Sequence, residues 1–111
     1  MRSYTPDRGD AVWLNSNPQA GHEQAGHRPA FVISPLAYNK KVGLALVCPI
    51  TTQLKGYPFE VEVPVGLPVS GTVLADQIKS LDWRSRKAAF ICKMPDHVTE
   101  EVIGKIEVLI R

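Results

Sequence analysis

Apolar positions in this chain come in short runs cut by proline, glycine and polar turns; only its end carries a helical stripe. In Asp10 to Leu14, Val12 and Leu14 alternate with Ala11 and Trp13, which predicts a strand partly covered on both faces. Residues 15 to 27, NSNPQAGHEQAGH, hold almost nothing to bury. Such a loop is long beside the usual length of about four to six residues, and long loops in compact domains are usually functional or disordered, so it is expected to be mobile. Ala30 to Ser34 reads as a second strand, LAYNKK as a turn or single helical turn, and Leu44 to Ile50 as a central strand. In Phe59 to Val63, Phe59, Val61 and Val63 alternate with Glu60 and Glu62, the pattern of a half-exposed strand. Thr72 to Ala75 is another strand. Asp76 to Leu81 suggests one or two helical turns, with Ile78 and Leu81 three apart. Trp83 opens a last strand to Cys92, basic first and apolar after.

Met94-Pro95-Asp96 ends that strand. Val98, Val102, Ile103, Ile106, Leu109 and Ile110 then form one helical stripe. Asp96 or Thr99 is the expected N-cap, and Gly104, costly in mid-helix, marks expected close packing. About six short strands and one terminal helix predict a mainly β, α+β fold: a small, strongly twisted antiparallel barrel or half-barrel with a helix over one end.

With 111 residues and a hydrophobic fraction of 44%, the chain suits one domain with one core. An active site is then expected in a surface groove or between two copies. The formal charge is only +2, which does not announce a nucleic-acid binder. The distribution says more: residues 97 to 111 are net acidic, so the basic excess lies in the body of the chain. Cys48 and Cys92 lie in apolar runs and read as core residues. Neither a disulfide framework nor a metal site is expected, since no His or Cys pair has ligand spacing. No apolar run approaches the ~20 residues of a membrane span, and MRSYTPDRGD lacks a signal core. A soluble, cytoplasmic protein without a cofactor is expected.

No Ser-His-Asp or Cys-His arrangement and no phosphate-binding glycine motif is evident. The stretch EQAGHRPAFVISP instead sets Glu23, His27 and Arg28 at a loop end beside a strand. Pro29 biases Arg28 to extended geometry. Thr51, Thr52 and Gln53 emerge from the central strand. If the second and third strands are antiparallel neighbours, their far ends meet and Arg28 lies beside Thr51. A guanidinium fork with a rotating hydroxyl suits a phosphate. RNA brings its own nucleophile, the 2′-hydroxyl, so an enzyme need only remove its proton, stabilise the phosphorane and assist the leaving oxygen. Arg28 stays protonated and suits charge stabilisation or donation to the leaving oxygen; Glu23 or His27 would act as base if the loop closes over the substrate. Lys55, Lys79, Arg84 and Arg86 would follow a phosphate chain, with Tyr57 or Trp83 as stacking surfaces.

The ordered pieces PDRGDAVWL, EQAGHRPAFVISPLAYN, CPITTQLKGYPFEV, LADQIKSLDWRSR and the terminal KIEVLI together resemble the MazF/PemK family of toxins from bacterial toxin–antitoxin pairs. The resemblance implies a CcdB-like, SH3-like barrel and a homodimer. It implies a metal-independent, sequence-specific ribonuclease acting on single-stranded RNA to leave 2′,3′-cyclic phosphate and 5′-hydroxyl ends. By the same resemblance Arg28 and Thr51 carry catalysis, Glu23 is the loop carboxylate, and Gln77 and Lys79 lie near the RNA groove. The implied partner is a MazE-like antitoxin whose acidic tail fills the RNA site. Where relatives carry an acidic D-F-D pattern, this chain has Asn15-Ser16-Asn17, which puts an inherited RNA preference in question. A gyrase poison of CcdB type is the contrasting expectation, but the ending Leu109-Ile110-Arg111 lacks the Trp-Gly-Ile of those proteins. A plain RNA-binding barrel is the third.

Overall fold

The computed structural model describes residues 3–15, 26–54 and 56–111. The element order is β1 (Asp10–Asn15), β2 (His27–Val32), α1 (Leu36–Val42), β3 (Ala45–Thr51), β4 (Glu60–Glu62), β5 (Thr72–Leu74), a 3-10 turn (Ala75–Gln77), β6 (Lys79–Leu81), β7 (Ala89–Lys93) and α2 (Asp96–Ile110). The strand path is β4-β5-β3-β2-β1-β7, with β6 also paired to β3. Every pairing is antiparallel. The path ends on β4 and β7, so the expected barrel is an open, half-barrel sheet. β3 is its hub: one edge takes β2, while the other takes β6 along its first half and β5 at its end.

Because strand side chains alternate, the sheet buries both faces. Ala11, Phe31, Cys48, Ile50, Val61 and Val73 pack with Val98, Val102 and Ile106 of α2. Val12, Leu14, Ala30, Val32, Ala45 and Val47 pack on the other face with Trp83. The core is thus two clusters divided by the sheet, where one was expected.

Several expected elements change. LAYNKK extends to a seven-residue helix closed by Gly43 at φ +83°. Its Asn39 is completely buried, donates to Pro6 O at 2.8 Å and Ser34 O at 3.0 Å, and accepts from the Ser34 hydroxyl. The Asn39 carbonyl takes the Trp83 indole N–H at 3.0 Å. That bond and the burial of Trp83 hold residues 83–88 in a turn, so the last strand starts at Ala89, six residues later than expected. Asp82 Oδ1 caps the turn by accepting from Arg84 N and Ser85 N at 3.1 and 3.0 Å. The helical turns expected over Asp76–Leu81 give way to the 3-10 turn and β6, because β3 offers Ala45–Val47 as an open edge.

α2 begins after Pro95 without a side-chain cap, so neither Asp96 nor Thr99 serves as N-cap. Val98, Val102 and Ile106 are buried, whereas Leu109 and Ile110 are exposed. Gly104 is exposed and an added Cβ there meets nothing within 4 Å, so it marks no close packing.

Candidate functional site

The pleat decides which side chains share a face. On β2, Arg28 has the parity of Ala30 and Val32; on β3, Thr51 has that of Val47 and Pro49. Both therefore face the side of the smaller cluster. The β2–β3 ladder pairs Phe31 with Cys48 and Ala30 with Pro49. Pro49 has no N–H to extend it. The pairing stops at Ala30–Pro49, and the same register continued by two residues would bring Arg28 level with Thr51.

On this face a groove of about 280 Å³ is lined by Leu14, Asn15, Arg28, Pro29, Ala30, Val47, Pro49, Lys79, Leu81 and Arg86. Arg28, Lys79 and Arg86 bring three cations to it, and no carboxylate is among these lining residues. The Arg86 guanidinium donates to Asn15 O at 3.1 Å, while Asn15 N donates to Arg86 O at 2.8 Å, which ties the turn to the end of β1. The Thr51 hydroxyl accepts from Gln53 N at 3.1 Å, which leaves its own proton to donate.

The remaining expected site residues lie elsewhere. His27 is adjacent to Arg28 on β2 and so faces the opposite side, where its ring stacks on Trp13 at 4.4 Å and 18°. Thr52 and Gln53 are exposed, and Thr52 lines a second concavity with Leu54 and Gly71. Tyr57 donates to Asp76 Oδ1 at 2.6 Å; that bond, then desolvation, raises its pKa, and Gln77 also hydrogen-bonds to it. Arg84 lies over the Trp83 ring at 4.8 Å. Trp83 is buried in the core, so its indole is no stacking surface for a base. Glu23, Lys55 and Ser16-Asn17 lie outside the described residues.

Sequence reasoning overlooked the apolar walls of the groove, Leu14, Ala30, Val47, Pro49 and Leu81, which read as ordinary strand residues. It also noted Asn15 only as a departure. The signal available was position: Leu14–Asn15 and Pro49 stand next to polar chain exits.

Among the described residues no three His, Cys, Asp or Glu side chains group to hold a metal, and no helix is long and apolar enough to cross a membrane.

The comparisons agree with this architecture. The family model described as "PemK-like, MazF-like toxin of type II toxin-antitoxin system" matches residues 7–110. The chain is 50% identical over 107 residues to the endoribonuclease toxin MazF of Escherichia coli strain K12, covering 96% of each. It is 56% identical to MazF from Deinococcus radiodurans, at a TM-score of 0.87 with 97% of this chain and 98% of that one covered. Against MazF in a MazE–MazF crystal structure from the same organism the TM-score is 0.88 at 50% identity, over 97% of each chain. With its groove, its sheet and nearly its full length accounted for, the chain belongs to the PemK-like, MazF-like toxins of type II toxin–antitoxin systems.

Proposed function

We propose that this chain is an endoribonuclease toxin that cuts single-stranded RNA in the cytoplasm and is neutralised by a MazE-like antitoxin. The observation that carries the reading is the groove that gathers Arg28, Lys79 and Arg86 against Val47 and Pro49 of β3. The endoribonuclease names of relatives at 50% identity support it, as does the MazE–MazF complex of the similar Deinococcus protein.

Cleavage uses the substrate's own 2′-oxygen. That oxygen loses its proton, attacks the adjacent phosphorus, and the 5′-oxygen departs, taking a proton from water, leaving a 2′,3′-cyclic phosphate and a 5′-hydroxyl. Arg28 and the Thr51 hydroxyl donate to the non-bridging oxygens as negative charge grows there. Glu23 takes the 2′-proton. It is preferred to His27, whose ring is stacked on Trp13 on the far face of β2. Lys79 and Arg86 hold flanking phosphates. No step requires a metal. The acidic tail of an antitoxin competes for the same cations, and two copies form the working toxin.

Single-stranded RNA incubated with the protein in EDTA, followed by end-group analysis, tests this. Cyclic phosphate and 5′-hydroxyl ends are expected. Arg28→Ala and Thr51→Ala should each lower cleavage by roughly 10²–10³-fold without changing the melting temperature. Wild-type cleavage by either variant refutes its assigned role; binding without cleavage by the parent protein refutes the enzyme.

A further inference from the structure

Thr51 is approached by two backbone groups, those of Gly71 and Gln53. Gly71 stands at the entry to β5, where its carbonyl accepts from Val63 N at 2.9 Å and its neighbour Thr72 pairs with Thr51. Its φ is +123°, a conformation L side chains rarely adopt. A Cβ at Gly71 would stand 2.3 Å from the Thr51 carbonyl oxygen and 2.9 Å from the carbonyl carbon. The two backbones touch, and only a residue without Cβ allows it. Gly43, Gly56 and Gly66 also have positive φ, yet a Cβ on any of them meets nothing within 4 Å. Gly71 is thus set apart by what it touches. The second group is the Gln53 N–H, which holds Thr51 Oγ1 at 3.1 Å and so directs the hydroxyl proton away from itself.

We infer that Gly71 is a positioning residue for RNA cleavage: its bare Cα, packed on the Thr51 carbonyl, sets where the Thr51 hydroxyl meets the scissile phosphate, and the Gln53 N–H orients that hydroxyl. The inference rests on the Thr51 role proposed above. A side chain at residue 71 forces the end of β3 away from β5 and carries the hydroxyl with it. Displacements of about 1 Å in such sites cost on the order of 100-fold in rate.

A double-mutant cycle on the full chain tests it with single-stranded RNA. Gly71→Ala is expected to lower kcat roughly 100-fold with KM little changed. Gly66→Ala, which imposes left-handed strain without the contact, should keep the parent kcat. Gly71→Ala added to Thr51→Ala should lower kcat no further. Parent-like kcat in Gly71→Ala, with Thr51→Ala inactive, overturns the inference alone. A further full loss on top of Thr51→Ala overturns it too. Full activity in Thr51→Ala removes the Thr51 role and the inference with it. If Gly71→Ala melts below the assay temperature, then against a Gln53→Ala reference, which loses the side chain but keeps the N–H, Gln53→Pro takes its place. Its kcat should fall, again not additively with Thr51→Ala, and an unchanged kcat overturns the inference.

Discussion

At the residue scale, the fold hangs on a few polar groups with complete sets of partners. Asn39 joins Pro6, Ser34 and Trp83, three parts of the chain distant in sequence. Asn39→Ala strands two buried carbonyls and the Ser34 hydroxyl, and is expected to cost about 3 kcal/mol in urea unfolding. Asp10, almost fully buried, accepts from Tyr4 and Asp7 N and pairs with Lys93 at 2.7 Å, pinning the N-terminal segment to β7. Burial, then Asp10, raises the Tyr4 pKa, and burial, then Asp76, pushes Cys48 from 9.0 up to about 12. Both groups are neutral when protonated. The unfolded chain therefore releases these protons at lower pH than the folded chain. The Cys48 contribution to stability is full below 9.0 and is lost as pH rises towards about 12, and that of Tyr4 declines only above its ordinary 10.0. The urea midpoint should fall between about pH 8 and pH 11, and Cys48→Ala should flatten part of that slope; a midpoint that rises over this range contradicts the assignment. Arg28 and Thr51 were legible as site candidates because both sit where apolar runs meet polar loops. Asn39 was not: its partners lie as far as 44 residues away, and nothing local marks them.

At the scale of elements, periodicity served where one face decides burial. β1, β3, β4, β5 and most of α2 follow their patterns closely. It failed where pairing overrode propensity. β6 is a strand because β3 has an open edge at Ala45–Val47, not because its own sequence demands one. The basic start expected of the last strand is a turn because Trp83 points into the core and Lys87 adopts φ 55°. α2 carries a glycine with no tertiary task. Gly104→Ala should raise stability by about 1 kcal/mol, seen as a higher midpoint at unchanged activity.

At the scale of the whole molecule, a chain of formal charge +2 gathers cations on one side of one sheet. On the function proposed, their effect on RNA is electrostatic and screened by salt. The logarithm of affinity should fall linearly with the logarithm of salt, by about 0.7 per neutralised phosphate on a single strand. Lys79→Ala should reduce that slope by about one such step and weaken different RNA sequences equally, as filter binding across a salt series will read. A variant that changes sequence preference while keeping the slope would instead make Lys79 a base reader.

The chain's own pattern determined that the protein is mainly β with a terminal helix and which family its motifs resemble, and it nominated Arg28 and Thr51 for the site proposed here. Those properties depend on neighbours in sequence: alternation, proline and glycine breaks, short charged motifs. Tertiary structure alone decided that His27 turns away from Arg28, that Trp83 is core, and that Gly71 touches Thr51. Each of these depends on which strands lie side by side and in what register, and a one-residue slip in pairing reverses every face. That information resides in contacts across the sheet, where no local stretch of sequence records it.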